Sequence, residues 1–142
     1  MTPTLFGRLQ TRLFLIVAIG LPWTLLVSPI VTALGGRSFA DTLRLTVAAV
    51  LVMGVLGLVI WEPLYHWLQQ YRWEKDWPTG LGLVTIVNEA VFTRAALADE
   101  FDVPDDAFVF HIVTTWLVMW FVANGPLRIV ALRWRYRGGR LV

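Results

Sequence analysis

Three stretches of this chain carry no charged residue: 13–36, 45–61 and 107–127. Each is close to the roughly 20 apolar residues that cross a ~30 Å hydrocarbon layer as a helix rising 1.5 Å per residue. Buried inside a soluble protein, three such helices would have to be covered on all sides, and a chain of 142 residues is too short to cover them. The hydrophobic fraction of 57% and charged fraction of 15% point the same way, because soluble domains carry about 25% charged residues. The sequence therefore predicts an all-α integral membrane protein forming one domain over 1–142.

Four segments are expected. The first spans about 9–34. It contains Pro22 and Pro29, seven residues apart on one face, each favouring a kink, and Gly35-Gly36 ends it. It is longer than the core of a cleaved signal peptide and is read as a retained signal anchor. The second spans 41–74, with Asp41 as its N-cap and a kink near 62–63 at Pro63. Gly54 and Gly57 thin one side of it for close helix approach. Its aromatic-rich end, with Trp61, Tyr65, Trp67, Tyr71 and Trp73, suits a membrane–water interface and continues as a cytoplasmic extension. The fourth spans 106–132. Asn124-Gly125-Pro126 should bend it near one surface, with Pro126 freeing the carbonyl of Val122 and Asn124 bonding across helices.

The third segment, 79–98, holds Asn88, Glu89 and Arg94 and is placed by topology. Basic residues stay cytoplasmic, and both chain ends are basic: Arg8 and Arg12 at one, Arg133, Arg135, Arg137 and Arg140 at the other. Both termini inside require an even number of crossings, so 79–98 should be a span. It would deliver Asp99, Glu100, Asp102, Asp105 and Asp106 to the outside, and it would leave Arg72 and Lys75 inside. Arg37 and Arg44 in the first outer loop fit this scheme less well. The expected architecture is a four-transmembrane-helix bundle in a bacterial inner membrane, with both termini cytoplasmic.

Ionisable groups at membrane depth are expensive and mark function by default. Glu89 shares a small, polar stripe with Gly82, Thr85, Thr93 and Ala96. It is either a proton- or ion-coupling carboxylate or a packing group bonded to a neighbouring helix. Glu62 and His66, at i and i+4, can pair or share a proton. His111 is placed in the outer part of the fourth segment, where a relay to Glu89 through Thr115 or water is conceivable. Trp116 and Trp120 form a ridge facing lipid, a partner or the core.

The absence of cysteine excludes disulfides and thiolate chemistry. No metal constellation at ligand spacing is visible, and the two histidines fall near opposite faces, so no cofactor is expected. The cluster 133–140, together with Arg72 and Lys75, suits anionic lipid or docking to a cytoplasmic partner; it is too short and too close to the membrane for nucleic acid. The partners expected are membrane lipids and other membrane subunits or copies of the chain. Paired catalytic carboxylates and a Ser–His arrangement are missing from any one depth. The reading that follows is a non-catalytic accessory, anchoring or assembly subunit of a membrane complex. The alternative is a small homo-oligomeric proton-coupled transporter or flippase with Glu89 as its coupling carboxylate.

Overall fold

A computed structural model of the protein describes residues 4–72, 78–102, 104–132 and 136–141. The chain is all-helical, with no strand among the described residues. Helix α1 spans Leu5–Gly35 and α2 spans Phe39–Gln69. A single turn, Leu81–Val84, leads into α3, Ile86–Leu97. Helix α4 spans Asp105–Val130. Three of these, α1, α2 and α4, are long and apolar enough to cross a membrane. The predicted segment 79–98 is helical but broken at Thr85, and α3 alone, with 12 residues, rises only ~18 Å.

The helix ends follow local chemistry. Thr4 caps α1, its hydroxyl accepting from Gly7 N at 3.1 Å. Gly36 closes α1 in the left-handed conformation, φ 62°, donating to Thr32 O. The cap of α2 is Ser38, not Asp41: the Ser38 hydroxyl accepts from Asp41 N at 3.1 Å and donates to the Asp41 carboxylate at 2.6 Å. A serine followed three residues later by an acid is a variant of the capping box, so the helix begins before the acid.

Both long amino-terminal helices contain a π-helical segment, Leu15–Gly20 in α1 and Gly57–Trp61 in α2. Each ends two residues before a proline, Pro22 or Pro63. A proline cannot donate to the carbonyl four residues back, Ala18 or Val59, and its ring crowds that carbonyl. Widening the helix by one residue relieves the clash without breaking the rod. The kink predicted at 62–63 falls directly after this π segment, and α2 stays helical through it to Gln69. Pro29 lies inside regular α-helix. Around it the hydroxyls of Thr24, Ser28 and Thr32 donate to the carbonyls of Gly20, Thr24 and Ser28 at 2.6–2.8 Å.

Small residues bring the helices together. A side chain on Gly20 would meet Met119 and Val50, one on Gly54 would meet Ile16, and one on Gly35 would meet Ala107. The core so formed contains Ile16, Leu45, Ala49, Val50, Met53, Phe108, Ile112, Trp116 and Met119. Helix α3 docks on α2 through the Phe92–Trp61 edge contact, centroids 5.2 Å apart, and through Asn88 donating to Tyr65 at 2.9 Å. Its lead-in turn docks on α4, where Trp116 Nε1 donates to Gly82 O at 2.7 Å and Trp120 Nε1 to Thr79 O at 3.1 Å. The tryptophan ridge therefore faces protein, and Gly82 is where it fits: a Cβ there would be 3.2 Å from the Trp120 ring.

The start of α1 meets the carboxyl-terminal segment 136–141, where Thr4 N donates to Gly138 O at 2.8 Å. Around the acidic connection between α3 and α4, Arg37 meets Asp102 at 2.5 Å, and Arg94 meets Asp105 at 2.5 Å.

Candidate functional site

Arginines 8 and 12 stand one turn apart on α1 and point between α2 and α3. Arg12 is 6% exposed and Glu89 on α3 is 1% exposed. The two form a fork-to-fork ion pair: Nη1 donates to Oε1 at 3.2 Å and Nη2 donates to Oε2. Nη2 also donates to Met53 O of α2 at 3.3 Å. The guanidinium carbon lies 4.9 Å from the centroid of the Trp116 ring of α4, a cation–π contact. One side chain of α1 thus touches all three other helices.

Gly57 makes room for it. A Cβ at that position would stand 2.5 Å from Arg12 Nε and 2.7 Å from Cζ. Gly57 is also the first residue of the π segment of α2, so the backbone adjustment that Pro63 requires occurs beside the guanidinium.

One turn towards the chain ends, Arg8 Nη2 donates to Gln69 Oε1 at 2.6 Å, and Nη1 lies 3.5 Å from Glu62 Oε2. Gln69 is itself 2% exposed. Two arginines and two carboxylates make a network whose formal charge sums to zero. An unpaired ion at that burial would cost several kcal/mol, so neutrality is the condition for closing it off from water. The Nε atoms of both arginines are buried without a hydrogen-bond partner, as are the hydroxyls of Thr93 and Thr115.

The structure separates groups that the sequence reading joined. Glu62 turns to Arg8; among the described residues no hydrogen bond links it to His66, whose Nδ1 is buried without a partner. His111 is 1% exposed and its Nε2 lies 3.0 Å from Thr24 Oγ1. The single proton of that hydroxyl goes to Gly20 O at 2.8 Å, so the imidazole is the donor to Thr24. Among the described residues no hydrogen bond joins Glu89 to His111. Glu89 goes to Arg12 and His111 to Thr24, and the Thr115 hydroxyl bonds to neither. Trp116, which marks the depth of the Arg12 guanidinium, lies five residues along α4 from His111, roughly 7 Å by helical rise.

The remaining predicted residues fall as follows. Gly54 and Gly57 both face α1. Pro22 follows a π segment and Pro29 lies within α1. Asn124 bonds within its own helix and not across helices: Nδ2 donates to Trp120 O at 2.9 Å, and Oδ1 accepts from Arg128 at 2.8 Å. The break sits at Gly125, φ −111° and ψ −96°, directly before Pro126. Pro126 starts a new turn there, where it needs no donor. Arg72 is half-buried, and Arg137 and Arg140 are exposed. Lys75, Arg133 and Arg135 lie outside the described residues, as do Trp73 and Trp77. Among the described residues no group of three or more His, Asp and Glu side chains is placed to hold a metal ion.

Sequence reasoning missed Arg8, Arg12, Gln69 and Thr24. Arg8 and Arg12 counted only as topology-setting charges. The signal that could have found them is their i, i+4 spacing at the start of an apolar run, in a chain with two acids left inside later helices. Compared with models of known protein families, with curated proteins and with solved structures, the chain matches none of them.

Proposed function

We propose that this chain is a non-catalytic integral membrane subunit, an anchoring or assembly component of a larger complex. In this reading four helices cross a bacterial inner membrane with both ends in the cytoplasm. The observation that carries it is the state of Glu89. Both oxygens of its carboxylate are held by one guanidinium, which is fixed in turn by Met53 O and by Trp116. A coupling carboxylate must gain and lose a proton and exchange partners as it does so. A carboxylate bound at both oxygens inside a neutral network is suited instead to locking three helices in register around a fourth.

The topology is supported by the meeting of the two chain ends, which fits an even number of crossings, and by the gathering of acids at the opposite end of α1. Arg37, the basic residue least at ease outside, is neutralised there by Asp102.

The test uses the full chain. Extracted in mild detergent, it is expected to carry a membrane partner at fixed stoichiometry. Reconstituted alone in liposomes, it is expected to give no proton-coupled flux. A lone, monodisperse protein whose flux disappears on Glu89→Gln would replace this reading with the transporter one.

A further inference from the structure

The carboxyl-terminal segment folds back across the first turns of α1. Gly138 and Gly139 adopt φ values of 63° and 84°, which side-chain-bearing residues rarely reach. The turn they make brings Gly138 O to the amide and the hydroxyl of Thr4, at 2.8 and 3.2 Å. Gly139 O accepts from Thr11 Oγ1 at 3.0 Å, and Leu141 N donates to Gln10 Oε1 at 2.8 Å. Gly7 lies beneath the crossing, where a Cβ would meet Gly139 C at 2.7 Å. Four hydrogen bonds and a glycine-on-glycine contact thus fix a short basic tail that its composition alone would leave free.

This clasp determines what the tail presents. Arg137 and Arg140 are exposed. Neither has a carboxylate partner among the described residues. Arg140 lies over the exposed ring of Phe6, 5.8 Å from its centroid. Immediately upstream, Ile129, Val130 and Leu132 are exposed by 74, 84 and 58%. Exposed cations that have no carboxylate partner among the described residues, close in sequence to outward-facing apolar residues, have the chemistry of a segment lying in the bilayer surface. Guanidinium groups bind phosphate oxygens while the apolar side chains enter the acyl boundary. An acidic soluble protein would satisfy the charges and leave the apolar residues unexplained.

We propose that the clasped carboxyl-terminal segment is a binding site for anionic phospholipid head groups, with Arg137 and Arg140 holding the phosphate and Gly7 seating the clasp that aims them. The proposal rests on the chain being a membrane protein and is independent of whether it serves as a subunit.

The test is native mass spectrometry of the full chain in neutral detergent, titrated with phosphatidylglycerol and, separately, phosphatidylcholine. The natural chain is expected to retain phosphatidylglycerol preferentially. Arg137→Gln/Arg140→Gln is expected to lower that affinity about thirtyfold, from ~1 kcal/mol per basic residue, while leaving phosphatidylcholine unchanged. Both positions are exposed, so far-UV circular dichroism should stay at the natural value. Gly7→Leu keeps every charge and is expected to weaken phosphatidylglycerol binding by displacing the tail. Arg44→Gln, an exposed arginine on the first turns of α2, is expected to change nothing. Equal retention of the two lipids by the natural chain would overturn the proposal, including where an acidic protein is captured in their place. So would a double variant that binds phosphatidylglycerol as the natural chain does.

Discussion

The Cβ position of Gly57 lies 2.5 Å from Nε of Arg12, inside the distance any real side-chain atom keeps. The guanidinium occupies the volume that every other residue type at 57 would fill. Because Glu89, Met53 O and Trp116 hold it from the far side, it cannot simply swing away. Gly57→Ala is therefore expected to destabilise the bundle by about 1–3 kcal/mol, the range for overpacking. Gly80→Ala, at a position with open space around it, should stay within about 0.5 kcal/mol. Thermal unfolding in detergent reads both. In an Arg12→Ala background the Gly57→Ala penalty should largely disappear, because the clash has gone.

A second buried contact joins α1 to α4. His111 donates to Thr24, and both groups are almost wholly buried. Thr24→Val keeps the shape and removes the acceptor, leaving an imidazole N–H without a partner, an expected loss of about 1–3 kcal/mol. Replacing both, as Thr24→Val/His111→Leu, should recover most of that loss, since two apolar groups of similar volume leave nothing unsatisfied. If the double variant is as unstable as the sum of the two single ones, the hydrogen bond is not what His111 contributes.

The proposed orientation can be read by labelling. The chain has no cysteine, so an introduced one reports without background. Glu100→Cys, exposed after α3, should react with a membrane-impermeant maleimide added outside intact cells. Arg137→Cys, exposed in the tail, should react only after permeabilisation. The reverse pattern would follow from an inverted topology or from an α3 that does not cross, and labelling of both from the same side would remove α4 as a span.

What the sequence made legible is what local physics controls. Apolar runs about as long as a bilayer is thick marked α1, α2 and α4, and Gly35-Gly36 marked the end of α1. Glu89 stood out because a carboxylate at that depth is costly wherever it points. Its partner did not, because Arg12 is 77 residues away and a charge at the start of an apolar run looks like any flanking charge. The π segments have no local signature beyond the proline two residues on, and a proline is equally read as a kink. The expected relay between Glu89 and His111 requires upright neighbouring helices that share one starting plane. The broken lead-in to α3, hung on Trp116 and Trp120 through Gly82 and Thr79, removes that plane. Ser38 is hard to tell from Asp41 as the cap, because serine and aspartate are both good N-cap residues and stand three positions apart.

Whether the Arg12–Glu89 pair locks the helices is decided by a double-mutant cycle on reversible unfolding in detergent, using Arg12→Gln, Glu89→Gln and the two together. Each single change leaves a buried ion without its counter-charge and is expected to lose about 3–5 kcal/mol, with the double variant losing much less than the sum. Losses that simply add, or single variants as stable as the natural chain, would contradict the account.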